Sequence, residues 1–171
     1  LEAVTEGRGN TAVGYQVLQS LTTGNDNAAF GRRSLTRLTT GEGNLSIGAA
    51  AMDKATDASG NTAIGKEALR ENLSGEGNVA IGFQALQNNQ GSGNLGIGRQ
   101  ALYGSRTGSG NIALGDQAGR SNTSGSDNVY IGNRGENGEE GVIRIGTEGV
   151  HTKTILVGEV EGDIKVVPVY Q

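Results

Sequence analysis

The pattern Asn-x-small-apolar-Gly recurs along most of this chain, with its Asn at residues 10, 27, 44, 61, 78, 94, 111 and 128. The spacing is 17 residues throughout except for one copy, Asn78 to Gly93, which has 16. A period this short and this regular leaves few folds open, because each repeat is one supersecondary unit that buries its apolar face only by stacking on the next. The missing residue of the short copy falls in the polar half of the repeat, where a loop absorbs a length change at least cost.

The position after the large apolar residue is glycine in every copy: Gly14, Gly31, Gly48, Gly65, Gly82, Gly98, Gly115 and Gly132. A fixed glycine predicts a corner with φ > 0, which other residues enter only at a cost. The triplet before it, such as Val79-Ala80-Ile81, is apolar throughout and predicts a short strand buried on both faces. The segment after it, around Glu67-Ala68-Leu69, alternates and predicts a second, half-exposed strand. Two short strands per coil give an all-β parallel β-solenoid of about eight coils, roughly 4.8 Å apart. Good helix formers in Lys66-Glu67-Ala68-Leu69-Arg70-Glu71 suggest short helices instead, but the glycine-free stretches are too short for a stable helix.

The repeated Asn10, Asn27, Asn44, Asn61, Asn78, Asn94, Asn111 and Asn128 have two readings. Stacked amides can hydrogen-bond from coil to coil, or each Asn can serve only the local turn that follows glycine.

The repeat region spans residues 10–132, after a lead-in of residues 1–9. Residues 133–171 open with an acidic loop, then repeat the apolar-Gly corner once in Val142-Ile143-Arg144-Ile145-Gly146. Thr154-Ile155-Leu156-Val157 and Ile164-Lys165-Val166-Val167 read as strands of a β cap closing the stack. The start at Leu1-Glu2 without Met reads as an excised piece of something longer.

Composition removes several function classes. There are 31 glycines and no cysteine, so thiol catalysis and thiolate metal sites are excluded. A net charge of −4 without a Lys/Arg stripe argues against nucleic acid as a partner. No apolar run is long enough for a membrane helix, so this segment is not expected to insert.

Gly60-Asn61-Thr62-Ala63-Ile64-Gly65-Lys66 fits the start of a phosphate-binding loop, but Glu67 stands where Ser or Thr must hold magnesium. Glu42, Glu76, Asp26 and Asp127 lie near the Gly-x-Gly loop ends without a calcium-binding nonapeptide pattern. His151 is the only histidine, so triad and zinc chemistry lack their parts, and a surface or cap role is expected for it. The expectation is therefore a protein that is not an enzyme, with no cofactor and no metal.

One surface column has chemical character, the residue after the corner glycine: Tyr15, Arg32, Ala49, Lys66, Phe83, Arg99, Asp116 and Asn133. Coils in register align these side chains, and Tyr15, Arg32, Lys66, Phe83 and Arg99 become candidate ligand-binding residues for a glycan or matrix protein. The competing reading is a merely solvated edge.

The motifs Asn61-Thr62-Ala63-Ile64-Gly65 and Asn78-Val79-Ala80-Ile81-Gly82 resemble the head repeats of trimeric autotransporter adhesins, the YadA-like head. That resemblance implies a left-handed parallel β-roll, three chains around a common axis, and an adhesin on a bacterial surface. The family's repeat is nearer fourteen residues, so the longer coils here imply longer outward loops. Similar arrays occur in tail-fibre-like proteins of phages and bacteria, which implies instead a structural shaft segment, on a virion fibre or a bacterial one. Both imply a homotrimer, and the apolar residues on both strand faces also ask for a partner beyond the chain itself.

Overall fold

The computed structural model describes residues 6–151 as one parallel β-solenoid. Nine three-residue strands form a single sheet in chain order: β1 (Thr11–Val13), β2 (Ala28–Phe30), β3 (Leu45–Ile47), β4 (Thr62–Ile64), β5 (Val79–Ile81), β6 (Leu95–Ile97), β7 (Ile112–Leu114), β8 (Val129–Ile131) and β9 (Ile143–Ile145). Every pairing is parallel and joins equivalent repeat positions, as Ala29 with Ser46 and Ala63 with Ala80. Nine strands at the usual spacing make a stack about 40 Å tall. The strands expected at 154–157 and 164–167 lie outside the described residues.

Each coil carries one strand rather than two. The segment after the corner glycine is a run of turns in which positions seven and nine are left-handed, as in Arg33 (φ 61) with Leu35 (φ 49) and Glu67 (φ 61) with Leu69 (φ 49). Alternating hand turns successive amides toward opposite neighbours. Arg33 N donates to Tyr15 O of the preceding coil, whereas Leu35 N donates to Ala51 O of the following one. Coil-to-coil bonding thus continues without extended backbone, and the polar–apolar alternation of this segment reflects a turn with one inward side.

The core is a thin column between the sheet and these turns. Position three faces inward and is fully buried as Ala29, Ala63, Ala80 and Ala113. It meets position nine, where Leu18, Leu35, Met52, Leu69, Leu86 and Leu102 have no exposed surface. Each such Leu contributes roughly 1.5–3 kcal/mol by burial. The small residue at position three is required because its partner across the narrow coil is large. Positions two and four point outward, so the strands are not buried on both faces as expected: in the single chain Ile47, Ile97 and Ile131 are each 38% exposed.

The glycine three residues before the next Asn, in the polar half of the repeat, is packed as tightly as the corner. A side chain at Gly65 (φ 133) would place its Cβ 2.4 Å from Gly82 O. At Gly75, in the loop, a Cβ would lie 2.3 Å from Asn72 Oδ1 and 2.4 Å from Gly91 O. Gly41, Gly91 and Gly108 meet the next coil's carbonyl in the same way. Adjacent coils therefore approach backbone to backbone on both sides of the rod, and the loop that tolerates a length change does not tolerate a side chain at these glycines.

The short coil keeps its register, since Val79 pairs with Leu95 sixteen residues on. In the other coils up to Arg106 the position-thirteen N–H donates to the next coil's position-thirteen carbonyl, as Thr39 N to Thr56 O at 2.8 Å. Before the short coil, Leu73 N donates instead to the Gln90 side-chain carbonyl at 3.3 Å. A side-chain amide thereby replaces the backbone acceptor that the deletion displaced.

The C-terminal end is closed by a size exchange. Position three becomes Tyr130, fully buried, and position nine becomes Gly119, whose added Cβ would meet the Tyr130 ring at 2.7 Å. The Tyr130 hydroxyl donates to Glu139 Oε2 at 3.1 Å, and Glu139 accepts in turn from Arg144 Nε at 2.6 Å. The acidic loop thus folds over the last core layer and holds a ring in place of the next coil.

Candidate functional site

Two columns run the length of the rod and could carry function. The first is the asparagine ladder. Asn44 Nδ2 donates to Asn27 Oδ1 at 2.9 Å and to Ala58 O at 2.7 Å, while Asn44 N donates to the same Oδ1 at 3.1 Å. The pattern repeats at Asn61, Asn78, Asn94, Asn111 and Asn128. Asn27 begins it, donating to Asn10 Oδ1 at 3.1 Å. Each amide therefore bridges three coils, bonding back to the preceding Asn side chain and forward to a loop carbonyl of the next coil. Its polar atoms are spent internally and are buried, so the ladder is structural.

The second is the column after the corner glycine, which the parallel register aligns on the outside. Tyr15 is 67% and Phe83 41% exposed, and Arg32 is exposed as well. These side chains are partly engaged with one another. The Lys66 ammonium lies 5.8 Å from the Phe83 ring centroid. Arg99 forms a two-point pair with Asp116, at 2.8 and 2.9 Å, and this guanidinium holds the Asp116 carboxyl below its ordinary range. Of the five candidate residues, Tyr15 and Arg32 are left without a polar side-chain partner among the described residues.

Next to this column runs a second line of side-chain contacts that sequence reasoning missed. Gln84 Nε2 donates to Glu67 Oε2 at 2.8 Å, and Gln100 Nε2 donates to Gln84 Oε1 at 2.9 Å. The hydrogen bond from Gln84, then the nearby Lys66 and Arg70, hold the Glu67 carboxyl low against the opposing effect of burial. Arg33 pairs with the buried Asp53 at 2.8 Å. Asp53 Oδ1, Arg70 Nε and Gln87 Oε1, at one position of successive coils, are buried without a hydrogen-bond partner.

The opposite edge of the sheet carries a shallow open groove of about 610 Å³, lined by Glu42, Ser59, Glu76, Ser92 and the glycines between them. A Cβ at Gly43 or Gly77 would meet nothing within 4 Å, so the groove floor is bare backbone. Among the described residues no group of three or more His, Asp or Glu side chains converges as metal ligands would. The phosphate-loop-like run is a strand and its corner, with Thr62 N donating to Asn78 O and Gly65 N to Ile47 O. Those amides are committed to the sheet and are not free to cradle a phosphate. His151 is exposed at the C-terminal cap, where its Nδ1 accepts from Thr147 N at 2.8 Å.

No helix among the described residues is long and apolar enough to cross a membrane. No protein family, curated protein or solved structure matches the chain, so the parallel β-solenoid stands on its own geometry.

Proposed function

We propose that this chain is a non-catalytic rod module of an extracellular fibre, assembled as a parallel homotrimer through the outer face of its sheet. The observation that carries the reading is that face. Positions two and four present two aligned columns, among them Leu45, Ile47, Leu95, Ile97, Ile112 and Ile131, on nine successive strands. A continuous apolar strip of this length is of the size and kind that marks an interaction surface. Sedimentation equilibrium at micromolar concentration is expected to give three times the chain mass, and a species near 17.5 kDa overturns the reading.

Between an adhesin head and a shaft segment of a bacterial or phage fibre, the state of the exposed column favours the shaft. Lys66 already covers Phe83 and Arg99 is paired with Asp116, whereas a ligand-binding stripe needs side chains whose partners come from outside. The purified assembly is expected to bind nothing on glycan and matrix-protein arrays. Specific binding that is lost in an Arg32→Ala, Phe83→Ala variant of unchanged melting temperature restores the adhesin reading.

A further inference from the structure

The sheet has unlike edges. Just after the strands, on the trailing edge, stand Arg32 (beyond β2), Lys66 (beyond β4) and Arg99 (beyond β6). Just before the strands, on the leading edge, stand Glu42 (ahead of β3) and Glu76 (ahead of β5). From β2 to β6 these five charges thus occupy alternate levels on opposite sides of the outer face, with Asp26 a further exposed carboxylate just ahead of β2. Three extended residues separate the two edges by roughly 10 Å, and neither Glu42, Glu76 nor Arg32 has an ion-pair partner among the described residues.

A closed ring of parallel chains brings the leading edge of each copy against the trailing edge of the next, because rotation about a common axis pairs unlike edges. It also keeps each strand level with its counterpart. In that ring Glu42 stands one coil step, roughly 4.8 Å, from the levels of both Arg32 and Lys66, and Glu76 stands likewise between Lys66 and Arg99. The open groove along the leading edge spans the levels of β3 to β6, the same levels at which the neighbour presents Lys66, Phe83 and Arg99.

We infer that the exposed column after the corner glycine is a seam between copies of this chain, in which Arg32, Lys66 and Phe83 of one copy dock along the Glu42–Glu76 groove of the next. The occupant is a second copy because the complementary charges have the same axial period on both edges. The inference rests on the self-association proposed above. The interleaved charges set the axial register, a role electrostatic pairs fill better than an apolar strip that tolerates sliding.

The test compares sedimentation equilibrium of the parent, a Glu42→Arg, Glu76→Arg reversal, and a full swap that adds Arg32→Glu and Lys66→Glu. All four positions are on the surface, and far-UV circular dichroism checks that each variant keeps its fold. The reversal is expected to weaken association by about tenfold or more at low salt, and the swap to recover most of it. Reversed and parent chains that associate equally, or a swap that recovers nothing, overturn the seam while leaving the apolar face as the interface. A parent that is itself monomeric overturns both.

Discussion

At the scale of single residues, the repeat is written in backbone conformations that the sequence states only in part. The corner glycines are legible because eight identical residues at one position demand a reason, and their φ of 117 to 141 through Gly115 supplies it. The left-handed residues at positions seven and nine are not legible, since Gln, Arg, Ala and Glu occupy the first and Leu and Met the second. Nor is the Arg33–Asp53 pair, because nothing twenty residues apart in sequence marks two side chains as neighbours. Ala50 (φ 55) gives a clean test of the hidden conformation. Relief of left-handed strain at about 1–2 kcal/mol, less the extra chain entropy of glycine, predicts that Ala50→Gly stabilises by roughly 0.5–1 kcal/mol in denaturant melts. A loss of stability there contradicts the assigned backbone. In the ladder, Asn61→Asp keeps the shape but removes the donors to Asn44 Oδ1 and Gly75 O. With buried polar groups left unmatched at about 1–3 kcal/mol each, chemical denaturation at neutral pH is expected to register a loss of at least 2 kcal/mol per chain. Gly65→Val and Gly75→Val are both expected to destabilise, by contact with the next coil's carbonyl on opposite sides of the rod, and urea melts equal to the parent for either one dissociate that site from the packing described.

At the scale of the element, one coil differs from the next by compensated exchanges. The sequence displays both halves of the terminal exchange, Gly119 for Leu and Tyr130 for Ala, but only the fold brings residues eleven apart onto one core layer. Tyr130→Ala alone opens a cavity and is expected to cost about 3–5 kcal/mol. Adding Gly119→Leu restores the composition of an ordinary coil, and thermal melts of the double variant are expected to recover more than half of that loss; no recovery separates the two positions. The cap also responds to pH. Arg144 first, then Glu136 N and the Tyr130 hydroxyl, hold the Glu139 carboxyl below its ordinary range, against burial. A depressed carboxylate contributes stability that is present above its unfolded pKa and lost as pH falls through the folded one. Glu139→Gln is therefore expected to lower the melting temperature at pH 7 and to make little difference at pH 2 to 3. An equal effect at both removes the ionised carboxylate from the account.

At the scale of the whole molecule, the parallel solenoid was legible from its period, whereas the number of strands per coil was not, because a turn with one buried side and a half-exposed strand share the same alternation of residues. The outer face becomes apparent only when positions two and four are placed together on nine strands. If that face is covered by other copies, the melting temperature rises with protein concentration. A melting temperature independent of concentration over a hundredfold range, about one decade either side of the assembly midpoint, contradicts the proposed trimer. The asparagine ladder has a further consequence, for direction. Every Asn side-chain oxygen receives its hydrogen bonds from the coil that follows, from Asn10 through to Asn128, where Val142 N donates the last one at 2.9 Å. The side-chain dipoles therefore add head to tail along the axis instead of cancelling, and each bond polarises the next. The rod is a one-way structure: the ladder is closed at one end by the Val142 N–H on Asn128, whereas a coil joined before the first must offer a side-chain acceptor to Asn10, and a coil set in the reverse sense offers none.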